Sequence, residues 1–386
     1  MAATGIRRKA DPTAASFNQA VASSSSADVP AEAPLTIAID AMGGDFAPTE
    51  VVKGSVEYAR SGDAYLLLVG DPARIEPELA SYEPEARQRI SIFPASQVIE
   101  MQEHPAEAVR QKPDASLVVC ARLVHDGVAD GTFTAGHTGA AMVAAISVMG
   151  RIGGVRRPAI ATLLPTELRG KVVVVDVGAN TECRASDLVQ FGLMGSIYAE
   201  RALGVRNPRV GLLSNGEEET KGNRLTLEAL PQLSRLPIHF LGNIEGNHVF
   251  EGVADVVVCD GFTGNILLKG AEGAVRMSLT LLAGDARRIS EEHDQQVLLD
   301  ALLRLRQQVD YAEFGGAPLL GIDGVTFIGH GRSDSHAIAN GIRMAVRAAR
   351  SGYVEAIRQA LPLLRFPAAA SDTVTPMVAA GELSGV

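Results

Sequence analysis

The residues best suited to chemistry stand in short glycine-rich strings, each directly after an apolar run. SNGEEETKGN at 214–223 sets a glycine turn and an acidic run before Lys221, Gly222 and Asn223. CDGFTGN at 259–265 supplies Asp260 and Asn265, and VGANTECR at 177–184 supplies Asn180. AGHTGAA at 135–141 supplies Gly136, His137, Thr138 and Gly139, while IDAMGGD at 39–45 supplies Asp40, Gly43 and Gly44. Backbone amides in such turns and at helix starts attract anions, so a phosphate-like ligand is the expected guest. Lys221 admits two readings. It is a solvated lysine beside acids that complement a helix dipole, or a fixed cation that holds phosphate or a developing oxyanion. Asp260 and Asn265 are equally open: cap or Asx-turn residues, or an orienting carboxylate and an amide donor to an oxyanion. His137 taken alone reads as an ordinary polar loop residue before it reads as a general base.

Other chemistries lack their anchors. There is no Walker A string, no GxGxxG after a strand, no GxSxG elbow and no HExxH. Cys120, Cys183 and Cys259 are widely spaced, with no CxxC and no zinc quartet, which fits a reducing cytoplasm. No metal or cofactor is expected.

The strings recur at the ends of TIAIDAMGGD, YLLLVGDP, GTFTAGHTG, VVVVDVGAN, RVGLLSNGEE, HFLGNIEGN, VVVCDGFTGN and VTFIGHGRSD. Near-continuous apolar runs of this length suit strands buried on both faces, the habit of parallel sheets covered by helices. The expected class is therefore α/β, with a largely parallel sheet and helices on both faces. In such sheets the ligand crevice lies beyond the carboxyl ends of the strands, where these glycine turns fall.

Residues 1–34, rich in Ala, Ser, Thr and Pro, are expected to form a disordered extension, and residues 367–386 a tail of similar character. Arg7, Arg8 and Lys9 are followed by no apolar segment, so no targeting peptide is expected. The core spans 35–366, with a helical projection at about 275–312. There, Val297, Leu298, Leu302 and Leu305 share one helical face, widened by Leu299 and Leu303, with Arg304 and Arg306 nearby. That stripe packs on the core or a dimer mate, or it touches a bilayer. With 35 Lys plus Arg against 45 Asp plus Glu, the formal charge of −10 argues against nucleic acid as the main partner. No apolar stretch approaches the ~20 residues of a membrane span.

Read in order, IAIDAMGGD, LVGD, ASQVIEM, GRIGGVRRPAIATLLPT, DVGAN, LVQFGLMGS, NPRVGLL, GEEETKGN, FLGNIEG, ADVVVCDGFTGN, FGGAPLLG and HGRSD form one pattern. It resembles the acyl-carrier-protein:phosphate acyltransferases, the PlsX family, over residues 35–360. The resemblance implies two lobes around a cleft, similar to phosphate acetyltransferase and to isocitrate and isopropylmalate dehydrogenases, in a homodimer. It implies a reaction in which an acyl-carrier thioester and inorganic phosphate give acyl phosphate for phospholipid synthesis. The product would then feed a membrane glycerol-phosphate acyltransferase. Lys221 and Asn265 carry the implied catalytic roles. Asp40, Gly43, Gly44, Gly136, His137, Thr138, Gly139, Asn180, Asn223 and Asp260 line the implied phosphate and thioester site. The chain departs from the family pattern at Phe46, where relatives have His, and at His137, where they have Asn. HGRSDSH places Arg332 and His336 near the cleft or the dimer seam. A coenzyme A-dependent phosphate acyltransferase, a metal- and nicotinamide-dependent dehydrogenase, and a non-catalytic membrane scaffold are the rival readings.

Overall fold

The computed structural model describes residues 34–167, 170–289, 291–309 and 315–364. The expected extension at 1–34 and tail at 367–386 therefore fall outside the described residues, except for residue 34.

The strands are β1 Thr36–Asp40, β2 Tyr65–Gly70, β3 Ile90–Pro94, β4 Gly131–Thr134, β5 Ala159–Pro165, β6 Lys171–Val175, β7 Arg209–Leu213, β8 His239–Ile244, β9 Val256–Val258, β10 Ala317–Leu320 and β11 Thr326–Ile328. They form one 11-stranded sheet in the order β3-β2-β1-β4-β11-β10-β5-β6-β9-β7-β8. Pairing is parallel from β3 to β11 in one lobe and from β6 to β8 in the other. Between the lobes β10 pairs antiparallel with both β11 and β5, and β5 pairs antiparallel with β6. Each apolar string singled out in the sequence is a strand. The strands it did not single out are β3, β5 and β10, and the last two form the antiparallel seam.

Alternation along each strand fills a different layer on each face. Val173 and Val175 of β6 join one apolar cluster while Val172 and Val174 join another. Ile37 and Ile39 of β1 likewise part from Ala38. Both faces are covered by helices: α1 Thr49–Ala59, α2 Pro72–Ala80, α3 Pro105–Gln111, α4 Ser116–His125, α5 Thr138–Ala144, α6 Ala185–Arg201, α7 Arg224–Leu233, α8 Gly246–Glu251, α9 Gly261–Ala286, α10 Glu292–Val309, α11 Ser335–Ser351 and α12 Tyr353–Ala360.

Across the expected helical projection at about 275–312 most described residues are helical, in α9 and α10. α9 runs from Gly261, and its glycines at 264, 270 and 273 break the apolar periodicity that marks a helix in sequence. The α10 stripe is also divided. Leu302 is 9% exposed, whereas Val297 is 52% and Leu303 57% exposed. One uniform face would not distribute that way.

Candidate functional site

The glycines of CDGFTGN let α9 begin directly against the DVGAN turn. A Cβ on Gly264 would lie 1.9 Å from the Asp176 carbonyl oxygen, and one on Gly261 would lie 2.8 Å from Asp176 Oδ2. Asp176 is fully buried and accepts hydrogen bonds from the backbone amides of Ile160, Gly178, Ala179 and Asn180. Burial raises its carboxyl pKa, and those bonds oppose the rise. This aspartate binds β5, β6 and the DVGAN turn into one unit beneath the start of α9.

The start of α9 is capped by Asp260, which accepts from the Thr263 amide at 2.9 Å and the Thr263 hydroxyl at 2.8 Å. Asn223 caps α7 in the same way, accepting from the Thr226 amide at 3.0 Å. Both helix starts open onto a cavity of about 270 Å³ lined by Ser214, Asn215, Gly222, Asn223, Asp260 and Thr263 among others. Two helix N-termini facing one cavity favour an anion. The Ser214 hydroxyl oxygen there is buried and has no hydrogen-bond partner among the described residues. Such a group is costly to leave unpaired and is satisfied by a ligand atom or a water. Gly222 has φ +117°, and a Cβ would stand 2.1 Å from the Thr226 hydroxyl, so the turn demands glycine.

Lys221 does not line this cavity but directly precedes Gly222, which does, and its side chain is exposed. Asn265 lies one turn into α9 and is exposed toward a second, larger groove that Thr138 also lines. The small cavity thus gathers the 214–223 and 259–263 strings, and the groove gathers Asn265 and Thr138.

The other expected site residues are arranged differently. Asp40 is 1% exposed and accepts from the Thr134 hydroxyl at 2.6 Å and the Met42 amide at 3.3 Å. Gly43 and Gly136 pack on it: a Cβ on Gly43 would sit 2.3 Å from Asp40 Oδ2 and 2.8 Å from the Gly136 amide nitrogen. Asn180 donates its side-chain amide to the Pro158 carbonyl at 2.8 Å and to Asp176 at 2.9 Å. The Asp40 and Asn180 side chains thus make these hydrogen bonds within the protein. Both are turned inward and position the strand-end turns. Asp260 and Asn223 spend their side chains on helix caps while still lining the small cavity. Gly44, with φ +111°, approaches Ala135 and the Gly331 carbonyl. His137 is half-buried, with Nε2 3.2 Å from the Glu103 carbonyl oxygen. Gly139 packs on the His137 ring and Pro105. Phe46 is 55% exposed. His336 stands on α11 beside Glu57 at 3.4 Å and lines neither cavity, while its neighbour Ala337 lines the groove.

Sequence reasoning passed over Asp176, Ser214 and Thr263. Ser214 opens the string that carries Lys221, and Asp176 repeats at β6 the strand-end aspartate seen at β1, so position alone was the available signal.

Cys259 lines the small cavity, but burial first, and the Asp176 and Asp260 carboxylates next, push its thiol well up. The Cys183 thiol is pushed up to about 12, mainly by burial. Among the described residues no group of three His, Cys, Asp or Glu could hold a metal ion.

A model of the family described as "Fatty acid synthesis protein" matches residues 35–356. The chain is 49% identical over 329 residues to "Phosphate acyltransferase" of Heliobacterium modesticaldum, covering 85% of this chain and 98% of the relative. It is 46% identical over 327 residues to "Phosphate acyltransferase" of Desulforamulus reducens, covering 85% and 97%. Among solved structures it resembles the EutD phosphotransacetylase from Staphylococcus aureus, with TM-score 0.54, 14% identity and coverage of 88% of this chain and 99% of that one. A phosphotransacetylase from Streptococcus pyogenes matches with TM-score 0.55, 14% identity and coverage of 89% and 98%. At that identity the structural likeness shows the two-lobed α/β fold.

Proposed function

The chain belongs to the fatty acid synthesis protein family, and on that premise we propose that it transfers a fatty acyl group from acyl carrier protein to inorganic phosphate. It is an acyltransferase, as its relatives are. A phosphate oxygen attacks the thioester carbonyl carbon, the new C–O bond forms and the C–S bond breaks. The carrier thiolate leaves and takes a proton from solvent, and acyl phosphate is released for phospholipid synthesis.

The observation that carries this reading is the convergence of the α7 and α9 starts on a small cavity with an unpartnered Ser214 hydroxyl. That is the place for phosphate. Lys221, the residue before Gly222 of its lining, would hold the phosphate or the oxyanion, and Asn265 would donate to the thioester oxygen. The protonated state of Cys259 supports direct attack over a covalent thioester on the enzyme. Glycerol-phosphate acyl transfer at a membrane would follow as the consuming step.

The same reading includes a homodimer and a protein of the cytoplasm that touches the membrane surface. A stripe of α9 supports the dimer. Phe262, Ile266, Met277 and Leu281 are 60%, 57%, 60% and 62% exposed. Gly270 and Gly273 fall between them and face open space. Small residues among apolar ones on one helical face suit close approach of another helix. No described helix is long and apolar enough to cross a membrane.

The test is a donor assay with the full chain. Acyl-carrier thioester and phosphate should yield acyl phosphate, trapped as the hydroxamate, and coenzyme A thioesters should not substitute. Thioester cleavage that ignores phosphate, or a preference for coenzyme A donors, ends the proposal.

A further inference from the structure

A groove of about 1860 Å³ runs between the inner faces of α9 and α10 and the strands β5 and β10. Asn265 and Thr138 stand at its polar end. From there an apolar row runs through Leu164, Phe250, Leu268, Leu279, Leu299 and Leu302, with the charged Lys269, Glu272, Arg276 and Arg287 of α9 also in the lining. Leu164 and Leu302 are buried at 7% and 9% exposed, so the apolar wall belongs to the interior of the fold. A concave, mostly apolar site with a few polar groups at one end is the usual form of a small-molecule pocket.

We infer that this groove is the acyl-chain subsite, running lengthwise along α9 from Asn265. The inference rests on the proposed reaction, because Asn265 fixes where the thioester carbonyl sits. With the carbonyl held there, the alkyl tail leaves water along the row Leu268, Leu279 and Leu299. Each methylene so buried is worth roughly fourfold in affinity. A second copy of the chain would take the opposite face of α9, through Ile266, Met277 and Leu281, so it does not compete for the groove. Helix rise makes α9 a ruler. Ala271 lies about 9 Å and Ala283 about 27 Å along the axis from Asn265, at ~1.5 Å per residue. Both line the groove.

Blocking the groove at those points tests the assignment. Ala271→Trp should lower the ratio of kcat/KM for hexadecanoyl over hexanoyl carrier thioester by at least about tenfold. Hexanoyl turnover should stay within about threefold of the parent, because the short chain ends before the block. Ala283→Trp should leave the ratio unchanged, since the extended chain does not reach it. An unchanged ratio in Ala271→Trp, or an equal fall in both variants, overturns the inference. Where Ala271→Trp does not fold, Val275→Phe, about 15 Å along the same face, takes its place with the same expected fall. Binding of cis-parinaric acid, read by its fluorescence, tests the groove without turnover. The parent should bind it and Ala271→Trp should bind at least about tenfold more weakly. Should the parent make no acyl phosphate yet show this difference, the reaction fails while the apolar-chain site stands. Equal binding by both proteins fails the site itself.

Discussion

In the proposed reaction Lys221 and Asn265 stand at different cavities, and their loss should read differently. Lys221→Ala removes the cation next to Gly222 of the proposed phosphate cavity and should cut turnover on the order of 10²–10³-fold with secondary structure unchanged. Raising phosphate should restore part of the rate if the lysine binds phosphate, and none if it serves only the oxyanion. Full retained activity by steady-state assay would retire its role. Asp40 makes a claim about stability. Burial raises its carboxyl above the ordinary 3.8, so the folded state holds this proton to higher pH than the unfolded chain does. Its favourable contribution is therefore complete below 3.8 and is lost as pH rises through the raised value. Urea midpoints measured from about pH 4 to about pH 8 should contain this decline in the parent and lack it in Asp40→Asn. An identical slope in both proteins would remove the buried-charge account.

Among the helices, α9 has the most contacts with the candidate site: its cap lines the small cavity, its inner face the groove, and its outer face is bare. Asp260→Ala should lose the cap and about 1 kcal/mol of stability, and Asp260→Asn should recover most of it. Thermal melts of the two variants check this, and equal melting would mean that the cap contributes nothing. On the outer face, Met277→Glu with Leu281→Glu should convert a dimer to a monomer in sedimentation equilibrium. An unchanged mass would place the dimer contact elsewhere. The sequence signalled α10 more strongly than α9, because glycines at 264, 270 and 273 hide a helix whose register is set by contact. Gly264 looked like loop punctuation. It is where α9 must pass within touching distance of the Asp176 carbonyl.

Over the molecule as a whole, local pattern specified the α/β class and the strand-end turns that line the small cavity. Runs such as VVVV at 172–175, buried on both faces and ending in glycine, have few other uses. Residue type also marked the strings bearing Lys221, Asn223, Asp260 and Asn265. Tertiary structure alone decided which of them meet. β5 and β10 run against the parallel pattern and join the lobes, and this seam brings distant turns to one cleft. It likewise decided that Asp40 and Asn180 face inward while Ser214 faces a cavity. A carboxylate or amide at a strand end looks the same in sequence whether it binds a ligand or ties two turns together. The difference is which neighbours, remote along the chain, satisfy its hydrogen bonds.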